Sequence, residues 1–409
     1  MDKGWVVVLG AGVEQEAIYL EAESMGFFTV GFDQNLTAPA RNYATRFFPI
    51  STTEHQEIIK TLKINMIQPS GVITLGSDVT VSVSKIQKEY NLPGLPINVA
   101  YNLTNKLLMK QAFLKASVCS PSFRAVQENS ISPESLISLG DKVIVKPIDG
   151  RGARGVQLVN TRQSHYVIEA VSLALQASKE SQVIIEEFIE GPQFSVEGIV
   201  LDSKFHNLVT SERNYSRIGQ FGMHVIEDGG QINAKENLDM KNEIEDLMSR
   251  AANSLGVQNG TIKGDLVRAP DGRLMVIEIA GRLSGGWLAS HQIPVARGIP
   301  LLKLALLIST GHSITSSDLK GNANKALAVR YWFPKSGIIK SISGTKDLEK
   351  LQGLVKFGFF RNVGQFQPEV SSHADRFGFV IFQGNTAQEA VERCLVGLSS
   401  VRIEIEKPV

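Results

Sequence analysis

The amino-acid sequence predicts a protein of mixed α/β and α+β class that is built from three successive units. At 409 residues, the chain is longer than one compact domain commonly is. Near the N-terminus, short apolar runs alternate with amphipathic segments, a pattern typical of a parallel sheet flanked by helices. From residue 325 onward, several short strands and one helix at about Thr386–Gly397 indicate a small α+β unit.

The first unit is predicted over residues 1–100. Its strands and its first helix are expected, in chain order, at Trp5–Leu9, Glu14–Met25 (the helix), Phe28–Phe32 and Gly71–Leu75. Gly10 and Gly12 after the first strand, with Asp33 after the second, imitate a dinucleotide-binding fingerprint. Because Gln15 stands where the third glycine belongs, a tight strand-to-helix turn is the favoured interpretation, and dinucleotide binding stays an open alternative.

The second unit is predicted over residues 101–318, between a proline-rich connector at 91–96 and a polar segment at 312–324. The third unit covers 319–409. Within the second unit we expect an amphipathic helix at Asn105–Lys115 and a long helix at about Leu238–Leu255, which ends before Gly256. Strands are expected between them, at Lys142–Lys146, Gln182–Glu187 and Asn207–Glu212.

Composition and residue usage narrow the kinds of protein to which the chain can belong. The chain is 43% hydrophobic and 20% charged, with a formal net charge of +1, which is ordinary for a soluble enzyme and does not indicate a nucleic-acid partner. The apolar start is too short for a membrane span and continues into glycines, not into a cleavage site. Cys119 and Cys394 form no paired motif and the seven histidines are scattered, so neither a disulfide framework nor a zinc site is indicated. A reducing cytoplasm fits this usage.

The stretch from Thr261 to Trp287 is predicted to be a β-hairpin that carries Asp265 on one strand and Glu278 on the other. Proline and glycine in the turn at residues 269–272 supply the dihedral angles that a hairpin needs. If Arg268 faces Arg273, then Asp265 faces Val276, and Glu278 lies diagonally on the same face at roughly 7–8 Å. Two such carboxylates form a candidate magnesium site. A solvated hairpin with ion pairs to Lys263 and Arg282 remains the alternative.

A lysine followed at once by a glycine-rich loop suggests phosphate binding. Lys146 ends a buried strand, and Gly150, Gly152 and Gly155 follow within nine residues. Glycines let backbone N–H groups close on phosphate oxygens, and the lysine adds a charge. The loop is not a Walker sequence, and a structural turn with a surface lysine is the alternative. The later strand ends in Glu186, where it could offer backbone groups and an acid to a purine; a solvated strand end is the other interpretation.

The order and spacing of these residues resemble the ATP-grasp superfamily of carboxylate–amine ligases over essentially the whole chain. The first unit resembles the Rossmann-like domain that precedes the ATP-grasp fold, and the last resembles the C-terminal domain of L-amino acid ligases that make dipeptides. The resemblance therefore implies an ATP-grasp domain at 101–318, with a mobile lid at about 115–187, and a C-terminal α+β domain at 319–409.

The resemblance also assigns roles to individual residues. It implies ATP binding by Lys106, Lys146, Gly150, Gly152, Ala153, Gly155, Glu186, Glu187, Phe188, Ile189 and Gln193. Asp265 and Glu278 stand 13 residues apart (278 − 265 = 13), the spacing of the family's magnesium ligands. Two positions depart from the family pattern. Gln193 replaces a ribose-binding glutamate, although an amide can still bond hydroxyls, and Ala280 replaces an asparagine ligand that it cannot imitate.

Catalytic and substrate roles follow the same resemblance. Arg282 and Lys263 would be the catalytic cations, with Arg282 suited to hold a tetrahedral oxyanion through two nitrogens. Substrate contacts are expected from His224, Ser284, Gly285, Gly286 and Trp287. A surface role for His224 and a core role for Trp287 remain alternatives. The later segment Val370–Gly378 is interpreted as a structural turn.

The implied reaction activates a carboxylate of an amino acid with ATP, as an acyl phosphate, and joins it to an amine, releasing ADP and phosphate. The implied cofactors are ATP and Mg²⁺, with two ions expected and Mn²⁺ as a substitute. The implied partners are small molecules, and a homodimer is a hypothesis from family habit. Alternatives are a biotin-dependent carboxylase component, formyl or carboxyl transfer on a phosphoribosyl substrate, and a nucleotide-binding protein that has lost catalysis. The sequence leaves the acid and the amine unidentified.

Overall fold

The computed structural model describes residues 4–127, 131, 133–235 and 237–406. The first unit is a parallel sheet of four strands in the order β3-β2-β1-β4, with helices on both faces, which confirms the predicted N-terminal class. Its elements are β1 (Trp5–Leu9), α1 (Glu16–Ser24), β2 (Phe28–Phe32), β3 (Arg46–Phe48), α2 (His55–Ile64), β4 (Pro69–Ile73) and α3 (Thr80–Glu89). The strand order reverses between β1 and β4, and such switch points open a crevice at the carboxyl edge of a sheet.

Two helices lead from this unit to an antiparallel sheet of four strands. They are α4 (Ile97–Thr104) and α5 (Lys106–Lys115). Asn105 caps α5, because its side-chain oxygen accepts the N–H groups of Leu107 and Leu108. The sheet, in the order β5-β8-β6-β7, occupies the region expected to form the lid. Its elements are β5 (Phe123–Val126), α6 (Pro133–Leu136), β6 (Lys142–Pro147), β7 (Gln157–Asn160), α7 (Ser164–Ala177) and β8 (Val183–Glu187).

The largest sheet has eight strands in the order β13-β12-β9-β10-β11-β14-β18-β16. The strands of its first part and the helices between and after them are β9 (Gln193–Leu201), β10 (Lys204–Arg213), β11 (Gly229–Ile232), α8 (Leu238–Leu255), β12 (Gly260–Arg268), β13 (Leu274–Ala280), α9 (Ile293–Arg297) and α10 (Leu301–Ser309). Helix α8 has the predicted bounds and ends at Gly256, whose φ of 90° places it in the left-handed region.

The remaining strands continue the large sheet and add a small one. These elements are β14 (Ala326–Trp332), β15 (Gly337–Ser343), α11 (Thr345–Leu348), β16 (Leu354–Phe359), β17 (Phe366–Gln367), β18 (Gly378–Gly384), α12 (Ala387–Ser400) and β19 (Arg402–Glu406). Strand β14 pairs with β11, so the large sheet crosses the boundary predicted at residue 318. That boundary falls in the connection between α10 and β14 and stays a prediction.

Short helical turns lie between some of these helices and strands. They are the 3₁₀ turns Val13–Gln15, Arg41–Tyr43, Ile137–Leu139 and His373–Asp375, and a π-helical turn at Leu288–Gln292. Among the described residues, we find no helix that combines the length and the apolar character needed to cross a bilayer. Both cysteines are free thiols.

The predicted register of the β12–β13 hairpin is wrong. Leu266, not Asp265, pairs with Val276, and a bulge on β13 then brings Glu278 directly opposite Asp265. The shift arises at the turn, where Ala269 bonds to the carbonyl of Arg273. Gly272 makes this longer turn possible because its φ of 86° strains any residue with a Cβ. The two carboxylates are therefore direct cross-strand neighbours.

Candidate active site

All three units contribute to one large cavity of about 640 Å³. The first unit supplies the turn after β1 and the segment after β4, the lid sheet supplies the glycine loop, and the large sheet supplies the hairpin. Leu75 forms a parallel bridge with Leu283, and Gly76 donates its N–H to the Leu283 carbonyl at 3.1 Å. This backbone link fixes the switch point of the first sheet against the end of the hairpin.

Asp265 and Glu278 face each other in the cavity wall with both carboxyls held ionised. Burial opposes ionisation of Asp265, but the charges of Arg213 and Lys263 outweigh it and keep its pKa below the ordinary value. Burial likewise opposes ionisation of Glu278, and Lys106, with a second nearby lysine, lowers its pKa. Two facing ionised carboxylates supply the oxygen ligands that Mg²⁺ takes alongside phosphates and water.

The two carboxylates differ in how they are already neutralised. Lys263 Nζ lies 2.6 Å and Arg213 Nη1 3.1 Å from Asp265 Oδ2, while Ser195 donates to Oδ1 at 2.8 Å. Glu278 has a looser partner, since Lys106 Nζ is 3.7 Å away, and its side chain is 36% exposed to the cavity. Glu278 therefore has the freer oxygens. The pair fits a magnesium ion that is completed by ligands from a nucleotide.

Two predicted phosphate-binding lysines enter the cavity from neighbouring elements. Lys106, the first residue of α5, donates from Nζ to the Gly150 carbonyl at 2.8 Å. Lys146, near the end of β6, forms a 3.0 Å ion pair with Glu186. Glu186 also lies 3.6 Å from the fully buried Lys110, whose pKa burial lowers to about 8. Glu186 thus faces two lysines in this structure, and its contact with an adenine amino group stays a prediction.

The glycine loop lies over the same end of the cavity. Gly150, Gly152 and Ala153 line the wall, and Gly152 and Ala153 have positive φ angles of 63° and 59°. The Gly152 carbonyl accepts the N–H of His373 at 3.1 Å, which ties the loop to the C-terminal unit. Gly155 lies outside the wall. A Cβ there would come within 2.8 Å of the Ala177 Cβ, so this glycine lets the loop pack on α7.

The proposed purine end lies where β8 leaves the lid sheet. Glu187, Phe188, Ile189 and Gln193 all line the cavity. Gln193 begins β9 and pairs with Val267 of β12, which places its amide beside the hairpin.

Arg282 and the glycine turn that follows it line another part of the cavity wall. Nε and Nη2 of Arg282 both lie 2.7 Å from Asp78 Oδ1. Burial opposes ionisation of Asp78, but the charge and hydrogen bond of Arg282 prevail and hold its pKa below the ordinary value. Ser284, Gly285 and Gly286 also line the wall, and the Ser284 N–H donates to the buried Glu197 at 2.8 Å.

Two predicted substrate contacts lie outside the cavity wall in this structure. Trp287 is 3% exposed and stacks on Phe379 with ring centroids 3.6 Å apart, which is the packing of a core aromatic. His224 forms an isolated bridge with Gln157 of the lid sheet. Their contacts with substrate stay predictions.

Several cavity residues were not among the sequence candidates. These residues are Glu14, Asp78, Arg213, Glu227, His373 and Arg376. His373 and Arg376 belong to the turn that the sequence indicated as structural; it also contributes to the wall. Burial, with help from Arg376, lowers the pKa of His373 well below its ordinary value, so this ring is neutral. The approach of His373 to Gly152 depends on tertiary packing, and local sequence carries no signal for it.

Family comparisons match two parts of the chain. Residues 103–286 match the ATP-grasp domain, and residues 330–406 match the L-amino acid ligase C-terminal domain 2. The L-arginine-specific L-amino acid ligase of Bacillus subtilis is 23% identical over 339 residues, covering 81% of this chain and 80% of the relative. A D-alanine–D-alanine ligase of Gloeobacter violaceus is 29% identical over 208 residues, covering 48% of this chain and 66% of the relative.

Solved structures share the fold over the whole length. The crystal structure of an L-amino acid ligase from Bacillus licheniformis superposes with a TM-score of 0.83 at 20% identity and covers 100% of both chains. A phosphoribosylglycinamide synthetase from Anaerococcus prevotii superposes with a TM-score of 0.74 at 22% identity, covering 98% of this chain and 100% of that one. Residues 103–286 therefore carry an ATP-grasp domain and residues 330–406 an L-amino acid ligase C-terminal domain, and the chain is an ATP-dependent carboxylate–amine ligase.

Proposed function

We propose that the chain activates the carboxylate of an amino acid as an acyl phosphate and joins it to an amine. The observation that carries this proposal is the cavity itself, in which Lys106, Lys146, Lys263 and Arg282 surround the facing carboxylates of the hairpin. The match of residues 330–406 to an L-amino acid ligase domain supports an amino acid as the substrate.

The first step, as proposed, places a carboxylate oxygen of the substrate on the γ-phosphorus of ATP. The new O–P bond forms while the bond from the γ-phosphorus to the β,γ-bridging oxygen breaks, and ADP leaves. An anionic carboxylate must approach a polyanionic nucleotide, so catalysis consists mainly of alignment and charge neutralisation. Lys106 and Lys146 supply positive charge at the phosphate end. Mg²⁺ held by Asp265 and Glu278 would neutralise phosphate charge. Two ions, with Mn²⁺ as a substitute, remain part of the proposal.

The second step is attack of the amine on the acyl carbon. The C–N bond forms, the C–O bond to phosphate breaks, inorganic phosphate leaves, and the nitrogen loses a proton to solvent. Arg282 lies beside the glycine turn, where its guanidinium can stabilise the oxyanion of the tetrahedral intermediate, and Lys263 adds a second charge. We also retain a homodimer and a cytoplasmic location as hypotheses.

The experiment is phosphate release with Mg-ATP and a panel of paired amino acids, with and without hydroxylamine. We expect hydroxamate only when an amino acid is present, because hydroxylamine intercepts acyl phosphates. Bicarbonate, and glycinamide ribonucleotide with formate, belong in the same panel. Turnover with either of these, and none with amino acids, would refute the proposal and favour a carboxylase or formyl-transfer reaction.

A further inference from the structure

Glu14 is a cavity carboxylate to which the reaction above assigns no role. It lies in the 3₁₀ turn after β1, at the switch point of the first sheet, and lines the cavity. Its Oε2 accepts the N–H of Gly286 at 2.8 Å. A Cβ on Gly285 would lie 2.7 Å from the same oxygen, so a side chain there would displace the Glu14 carboxylate from the turn. Glu14 thus lies against the predicted substrate turn.

Three other carboxylates that line the cavity have cationic partners. The shortest separations are 2.7 Å for Asp78 to Arg282, 2.6 Å for Glu227 to Arg213 and 2.6 Å for Asp265 to Lys263. Among the described residues, no cationic nitrogen forms an ion pair with Glu14 within 4.0 Å.

The surroundings of Glu14 favour the arrival of a positive charge. Burial raises the pKa of its carboxyl, and the Gly286 N–H and the more distant charges of Arg376 and Arg282 offset this only in part. Arg376 is engaged elsewhere, since it stacks over Tyr331 at 3.9 Å and donates to the Glu227 carbonyl. A buried carboxylate without a paired cation is costly, and a ligand that brings a cation relieves that cost.

We propose that Glu14 binds the α-ammonium group of the amino acid whose carboxylate is activated. This assignment rests on the proposed function. An amine that attacks an acyl phosphate must lose a proton to free its lone pair, whereas an ammonium held by a carboxylate cannot attack. Glu14 therefore selects acids that carry an α-amino group and also keeps that group from acting as the nucleophile. Specificity for α-amino acids over simple carboxylic acids resides in this side chain.

The test compares Glu14→Gln with wild type on matched acids. Glutamine has the same shape, and its amide oxygen can still accept the Gly286 N–H, so the variant removes the charge and keeps the turn in place. The pairs are L-alanine with propionate, L-phenylalanine with 3-phenylpropionate, and L-methionine with 4-(methylthio)butanoate. Hydroxylamine serves as the common acceptor, so the hydroxamate rate reports activation of each acid alone.

We expect wild type to prefer each amino acid over its deaminated partner by about 100-fold in kcat/KM, since hydrogen bonds between charged groups are stronger than those between neutral groups. Glu14→Gln should lose most of that preference, with a rise in KM for the amino acid and little change for the partner. The matched control is Glu197→Gln, which alters the carboxylate that accepts the Ser284 N–H in the same turn. We expect it to change both acids by equal factors.

Failure of the Glu14 assignment and failure of the proposed function give different results. If Glu14→Gln lowers both members of each pair equally, Glu14 only supports the turn and the assignment is overturned. An unchanged preference would overturn it as well. If wild type forms no hydroxamate from any amino acid of the full panel, the proposed function fails first and the assignment falls with it.

Discussion

Replacing Glu278 by glutamine tests the metal site through its charge balance. Lys263, Arg213 and Lys106 lie nearest the carboxylates of Asp265 and Glu278, and Arg213 also pairs with Glu227, so the cluster carries a net charge of 3 − 3 = 0. The variant leaves 3 − 2 = +1, which repels a divalent ion. One unit charge at 4 Å contributes about 4 kcal/mol at an effective dielectric constant of 20, and the partial exposure of Glu278 reduces that figure. We expect turnover to fall by about 10²- to 10³-fold.

Phosphate release at several Mg²⁺ concentrations is the assay for this variant. Glutamine preserves shape at a partly exposed position, so thermal unfolding should be nearly unchanged. Glu57→Gln is a matched control, because Glu57 lies on α2 in an exposed ion pair with Lys60, and wild-type turnover is expected. A folded Glu278→Gln protein with near-normal phosphate release would refute the metal assignment.

Three further variants test neighbouring parts of the site. Lys146→Met should weaken nucleotide binding by about 10- to 100-fold in calorimetry, since it removes a charged hydrogen-bond donor; unchanged affinity would contradict the phosphate role. Arg282→Lys should lower hydroxamate formation by about 10²-fold or more, because lysine cannot reproduce the contact of two nitrogens with Asp78; wild-type rates would exclude the oxyanion role. Lys110 has a pKa of about 8 in the folded state and an ordinary value of 10.5, so the unfolded state binds more protons between these values and stability rises with pH. In urea unfolding, wild type should gain stability relative to Lys110→Met from pH 8 to pH 10, and a constant difference would contradict the buried placement of Lys110.

Much of the fold was predictable because local patterns specify it. The strands Trp5–Leu9 and Phe28–Phe32 and the helix Leu238–Leu255 have the bounds expected from their hydrophobic patterns and end signals. The hairpin was also predictable as an element. Its register was not, because one bulge and a longer turn shift the pairing, and residue types alone do not reveal which backbone position is left unpaired.

Some residues of the candidate site were also predictable from local sequence, and others were not. Lys146 and the glycine loop were visible because chemistry and spacing lie within one short segment of chain. Glu14 and Arg376 were not, since they enter the cavity from opposite ends of the sequence and have no local motif. For Trp287 the local sequence was misleading. An aromatic residue beside a glycine turn resembles a pocket residue, but the stacking of Trp287 on Phe379 places it in the core.

The proposed function depends on activation of the carboxylate of an amino acid as an acyl phosphate. Transfer of ¹⁸O from that carboxylate to phosphate reports this step. The amino acid that gives the strongest hydroxamate signal is labelled in both carboxyl oxygens and turned over with Mg-ATP and an amine. We expect one labelled oxygen in each inorganic phosphate released, as detected by mass spectrometry. Label found in AMP, or phosphate released without label while amide forms, would rule out an acyl phosphate intermediate.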